Sequence, residues 1–294
     1  MSKVKLGITS NSVARAIVDG RMTILDVIDW TKQIGGAHLE IVPRGFDLNQ
    51  QPELIPAIQQ KAAEVGIGLS NYVISANLIC DSEVEHRVEI ERIKKEVDIA
   101  EALGIKHLRH DVASRPREAC GIESFIRDLP MLAAACREIT DYAAAKGIGT
   151  SVENHGYYMQ ASERIAMLID AVNHVNFRVT LDVGNFMCVD EDSIRGVNNT
   201  IALASNIHLK DFYIRKQEST ALTSLKNQWI PTANGKFVRG AIVGQGDLDI
   251  RAIVDVIRAS DYNGCISVEF EGVEDCLIGT AAGLACAKAL FDQN

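Results

Sequence analysis

The chain has 294 residues, 47% of them hydrophobic, and a formal net charge of −9, enough apolar material for one large α/β domain or two smaller ones. The acidic balance disfavours a nucleic-acid binder and offers nothing to an anionic membrane surface. The seven scattered cysteines form no C-x-x-C pair and read as reduced core thiols of a cytoplasmic protein, and neither a signal peptide nor a membrane-spanning run is expected.

Residues 4–8 read as a first strand. One pattern then recurs: a helix, a Gly, an apolar residue and a short strand. It appears as QIGGAHLEIV (33–42), EVGIGLSNYV (64–73), ALGIKHLRHDV (102–112) and AKGIGTSVEN (145–154). Gly suits the left-handed cap that ends a helix, and the branched run after it suits a buried strand. Four such joints predict repeated αβ units and a parallel sheet. Between them, 52–65 reads as a helix with Pro52 at its first position. Segment 82–103 opens with Ser82 and Glu85 at capping-box spacing and puts Ile90, Ile93, Val97 and Ala100 on one face. Segment 122–146 is an Ala-rich helix stopping at Gly147.

Further along, 177–181, 205–209 and 265–269 read as strands, with helices over 162–174, 191–204, 248–259 and 274–291. Eight strands, each followed by a helix, predict an α/β fold of the (β/α)8 TIM barrel type, in one domain over 1–294. The alternative, a doubly wound open sheet, lacks the G-x-G-x-x-G fingerprint after its first strand. The longest interruption, 212–247, carries Phe212, Tyr213, Arg215, Trp229, Phe237 and Arg239, and is expected to be a lid or subunit contact.

In such a barrel the C-terminal strand ends meet at one mouth. Strand five ends in Glu153, strand six in Asp182, strand seven carries His208 and strand eight ends in Glu269. Singly, each is the kind of residue that caps a helix or sits in a loop. Jointly, at equivalent depth on four successive strands, they would repel one another unless a divalent cation intervened. Three carboxylates and one imidazole suit Mn²⁺ first, with Mg²⁺, Co²⁺ or Zn²⁺ as alternatives. His155 stands two residues beyond Glu153, on the same side of an extended chain, where it would bind a substrate hydroxyl or shuttle a proton. Lys210 bears that relation to His208 and would steady a developing oxyanion, or else form a rim salt bridge. His110 would reach substrate from strand four, unless Arg109 and Asp111 pair beside it as part of the rim. Tyr157 and Tyr158 read as wall or interface, and Arg215 and Arg239 as solvated charges or a phosphate site.

Taken in order, SVENHG, TLDVGN, NIHLKD, VGQGDLD and SVEFEG resemble the sugar phosphate isomerase/epimerase group of xylose-isomerase-like TIM barrels. The resemblance covers essentially the whole chain, with its motifs concentrated in 148–272. It implies that Glu153, Asp182, His208 and Glu269 bind one divalent metal and that the two Glu act as acid and base. It also implies that Glu40, at the end of strand two, faces the pocket. Epimerases of this group often carry a second His after the strand-six Asp; Asn185 stands near that position and is assigned to substrate binding. That His and a further Asp-x-His pair, which three-metal endonucleases need, are missing, so a nuclease is disfavoured. The group includes ketose epimerases, aldose–ketose isomerases, and inosose and dehydroshikimate dehydratases, and homodimers and homotetramers are common in it.

The chemistry expected is proton transfer. A metal binding two adjacent oxygens of a hydroxy-ketone or polyol-derived substrate acidifies the α-proton, and a carboxylate removes it to give an enediolate. Reprotonation on the other face gives epimerisation, on the neighbouring carbon isomerisation, and loss of a β-hydroxyl dehydration. The reading is therefore a metal-dependent sugar isomerase or epimerase, with a dehydratase as the alternative. A non-catalytic barrel is disfavoured by the complete quartet.

Overall fold

The computed structural model describes residues 4–216 and 228–293. Eight parallel strands close into a barrel: β1 (Lys5–Thr9), β2 (His38–Ile41), β3 (Gly68–Ile74), β4 (His107–His110), β5 (Gly149–Glu153), β6 (Phe177–Asp182), β7 (Ala204–Leu209) and, last in the chain, β11 (Cys265–Val268). The order around the barrel is β1-β11-β7-β6-β5-β4-β3-β2, so the ring closes between the first two strands. Sequential helices cover the outside, the longest being Glu83–Ala102 and Ile122–Ala144. Among the described residues no helix is long and apolar enough to cross a membrane.

The four helix-Gly-strand joints are present. Gly35, Gly66, Gly104 and Gly147 have φ of 80°, 69°, 71° and 69°, the left-handed region where a side chain is strained. Two local expectations shift. The helix after β2 is Leu54–Val65, with Pro52 in the preceding turn rather than at the first helical position. Ser82 does cap its helix through the Glu85 amide, but the Glu85 carboxylate accepts from the Asp81 amide, so the capping box is half formed.

Strand alternation divides the residues into two sets. Leu39, Ile41, Tyr72, Ile74, Leu108, Val152, Val179, Leu181, Ile207, Leu209, Ile266 and Val268 are buried in the main apolar core, between strands and helices. The other set is polar and buried: His38, Glu40, Asn71, Ser151, Thr180, Asn206 and Ser267. Within it the Ser151 and Thr180 hydroxyls bond at 2.8 Å, and the His38 ring touches the β1 and β11 backbone. Gly7 leaves room for that ring, since a Cβ there would stand 2.7 Å from it.

The interruption after β7 holds a second sheet. β8 (Asp211–Arg215), β9 (Ile230–Pro231) and β10 (Phe237–Ala241) form an antiparallel sheet in the order β8-β10-β9. Residues 217–227 of the expected lid or subunit contact lie outside the described residues. Asp211 joins this sheet to the next helix: its carboxylate accepts from the amides of Gly244, Gly246 and Leu248. That contact explains VGQGDLD, because a Cβ at Gly246 would lie 2.1 Å from the Asp211 carboxylate.

Candidate metal centre

Glu153, Asp182, His208 and Glu269 converge at the C-terminal mouth, each with a ligand-type atom within 4.8 Å of the others, and all four are buried. They come from β5, β6, β7 and the residue after β11, neighbours in the barrel. Register sets the depth: Asp182 lies opposite His208, and His208 opposite Ser267, two residues before Glu269. His208 Nδ1 is 3.3 Å from Glu269 Oε2 and 3.6 Å from Glu153 Oε2.

Each ligand candidate is held in place. Glu153 Oε1 accepts from Asn185 Nδ2 at 3.0 Å, and its Oε2 is 3.0 Å from Arg109 Nε. Asp182 Oδ1 accepts from the amides of Gly184 and Asn185, while Asn154 brackets its backbone N–H and C=O. Glu269 Oε1 accepts from Asn11 Nδ2 at 2.8 Å. The Lys210 ammonium lies 3.0 Å from Asp182 Oδ2, 2.9 Å from Glu269 Oε2 and 3.1 Å from Glu271 Oε2.

Electrostatics follow from burial. Burial pushes the Asp182 carboxyl up to about 7, against the pull of Lys210. For Glu269 burial acts in the same direction, but Lys210 and His208 outweigh it and hold the group well below the usual range. Burial opposes charge on His208, yet Glu40, Glu269 and Glu153 keep its ring well above the ordinary value. A cation held through Asp182 and His208 Nδ1 would therefore displace protons, so its binding is expected to strengthen as pH rises through about 7.

The donor set fits a divalent cation. Four buried carboxylates (Glu40, Glu153, Asp182, Glu269) face two buried side-chain cations, Arg109 and Lys210, and the remaining negative charge is offset in the metal-free site by protons on His208 and Asp182, which a cation would replace. Among the described residues, His208 Nδ1 is buried without a hydrogen bond, and Asp182 Oδ2 and Glu269 Oε2 are met by the Lys210 ammonium; an imidazole nitrogen and two carboxylate oxygens are atoms a divalent cation takes.

The other expected residues divide. Lys210 and His155 line the cavity of about 460 Å³ above the quartet; His155 is half exposed, with Nδ1 3.5 Å from Asp111. The Arg109–Asp111 pair forms at 2.7 Å, and Arg109 also grips Glu153. Glu40 lines the floor of the same cavity, as the family resemblance implied, with no exposed surface and its carboxylate against His208 Nε2. Asn185 is buried between Glu153 and Lys210, bonded to both, and does not line the cavity. His110 also departs from expectation. Alternation turns Arg109 into the barrel and His110 outward, where it lies beside Phe177, its Nδ1 on the Asp111 carbonyl; burial lowers it to about 4.

Tyr158 is an interior residue whose hydroxyl donates to Asp128, and the Tyr157 hydroxyl ties to Pro231 of β9. Arg215 and Arg239 stack on Tyr213 and Trp229 and do not line the cavity. Two contributors escaped the sequence reading. Glu271 follows Glu269 by two residues, the spacing that singled out His155 and Lys210, and could have been found by it. Asn11 reaches Glu269 from the short 3-10 helix after β1 (Ser10–Val13) and carries no such signal.

The closed parallel barrel and the acid-and-imidazole quartet at its mouth define a class, that of TIM barrels fitted for a divalent cation. More narrowly, the chain belongs to the xylose isomerase-like TIM barrel family, whose profile matches residues 28–288. An inosose dehydratase of Lactiplantibacillus plantarum is 28% identical over 142 residues, 46% of this chain and 45% of that protein, so the chain spans about half the length of this curated relative. The probable 3-DHS dehydratase AsbF of Bacillus anthracis, involved in petrobactin synthesis, shares the fold with a TM-score of 0.75 at 14% identity, over 99% of this chain and 100% of that one. The 3-keto-D-glucoside 4-epimerase YcjR of E. coli gives 0.71 at 15%, over 97% and 99%. At such identities these two structures are alike in fold.

Proposed function

We propose that the protein is a divalent-metal-dependent isomerase or epimerase of a sugar- or polyol-derived hydroxy-ketone, moving a proton at the carbon beside the carbonyl. The observation that carries this reading is the placement of Glu153 and Glu269 at the two ends of the arc β5-β6-β7-β11, flanking Asp182 and His208. Two carboxylates so placed approach a bound ketone from opposite sides, one taking the proton and the other returning one. Glu153, Asp182, His208 and Glu269 would hold the cation, which would supply Lewis-acid polarisation of the substrate carbonyl. Arg109 and Asn185 orient Glu153, and Asn11 orients Glu269. His155, Asp111 and Glu271 line the cavity and offer donors and acceptors to further hydroxyls.

A dehydratase of an inosose- or dehydroshikimate-like substrate is the second reading, and Lys210 favours it. Its ammonium, 2.9 Å from Glu269 and 3.1 Å from Glu271, is a fixed positive charge beside a catalytic carboxylate, placed to steady the negative charge that gathers on a departing hydroxyl. One experiment separates the two. Mn²⁺-loaded protein is incubated in D₂O with a panel of ketoses, inososes and dehydroshikimate. Deuterium at the carbon beside the carbonyl, in a product of unchanged composition, is the expected result. Deuterium exchange with loss of water moves the assignment to the dehydratase, and absence of exchange across the panel contradicts both.

A further inference from the structure

We propose that Glu40 is a positioning residue that holds the His208 ring with Nδ1 turned toward Glu153, Asp182 and Glu269. The proposal rests on reading that cluster as a cation site.

Glu40 sits inside β2 and is 0% exposed. A carboxylate in such a place is costly unless its oxygens are bonded. Both oxygens face His208 Nε2, Oε1 at 2.9 Å and Oε2 at 3.1 Å. Oε2 also accepts from Asn71 Nδ2 at 3.0 Å and Asn206 Nδ2 at 2.7 Å. These amides come from β3 and β7, so rigid strands brace the carboxylate from different sides.

The contact decides which ring nitrogen is available. Nε2 is engaged below by Glu40, which leaves Nδ1 facing the two carboxylates above it. Turning the ring over would break the Glu40 contact and leave that carboxylate buried without its imidazole partner. A carboxylate on the far nitrogen of a ligating histidine fixes ring orientation and raises the basicity of the near one. Asn71 and Asn206 act one step further out, by holding Glu40.

The test uses ¹⁵N-histidine-labelled protein and Zn²⁺ as probe, with the fold of each variant checked by circular dichroism. In the wild type, His208 is expected to ligate through Nδ1 and to keep a slowly exchanging proton on Nε2. Glu40→Gln should speed exchange of that proton and weaken Zn²⁺ binding about 10–100-fold. Asn206→Ala, which leaves Glu40 itself in place, should move both readouts in the same direction by less. Ligation through Nε2, or both variants binding Zn²⁺ as tightly as wild type with the Nε2 proton unchanged, overturns the proposal while leaving the cation site standing. A wild type that takes up no Zn²⁺ overturns the cation site as well. If Glu40→Gln does not fold, Asn206→Ala decides by the same two readouts.

Discussion

Glu153→Gln and Glu269→Gln are each expected to lower kcat/KM for conversion of the hydroxy-ketone substrate by about 10²–10⁴-fold, the contribution of a positioned general acid or base. The carboxamide keeps an oxygen for Arg109 and the quartet at position 153, and for Asn11 at position 269, so the geometry is largely preserved while the proton acceptor is lost. The two variants should differ in what survives. With one carboxylate remaining, deuterium still washes in on the face that carboxylate serves, although net conversion stops. Steady-state turnover and D₂O exchange, measured on the same samples, read the two steps separately. Wild-type turnover in either variant would remove that residue from the proton path.

Lys210→Met should destabilise the metal-free protein by about 3–5 kcal/mol, the cost of removing one partner from a buried ion pair. Lys210 is 3% exposed and its ammonium lies within 3.0 Å of both Asp182 and Glu269, so its loss leaves two buried carboxylates without that partner. The same variant should become unusually dependent on divalent cation. Ligand at 100 times its dissociation constant adds about 2.7 kcal/mol to a protein that binds it only when folded. Urea unfolding with chelator and with excess Mn²⁺ gives both numbers. Equal stability of variant and wild type in chelator would show that Lys210 does not hold the cluster together.

Much of this was readable in the sequence because it follows from local rules. The four Gly joints announced αβ units, since a helix end in the left-handed region selects Gly wherever it occurs. The quartet was readable because strand ends in a barrel share a mouth, and alternation fixes which residue turns inward. The same rule, applied to strand four, separates Arg109, which lines the cavity, from His110, which does not, and so favours the Arg109–Asp111 alternative over the imidazole. Glu40 and Asn185 were recognised as unusual, but their partners were not. Asn71, Asn206 and His208 lie 31, 166 and 168 positions from Glu40 in the chain, and only closure of the barrel brings them together. The pairing of Asp211 with Gly244 and Gly246 is likewise long-range, although each half stood out as a motif.

Titration of chelator-stripped protein with Mn²⁺, followed by electron paramagnetic resonance, tests the central claim most directly. The quartet predicts a single tight site per chain, weaker at pH 6 than at pH 8 because Asp182 gives up its proton near 7, and lost in Asp182→Asn. No uptake by the wild type, or undiminished uptake by Asp182→Asn, would contradict it.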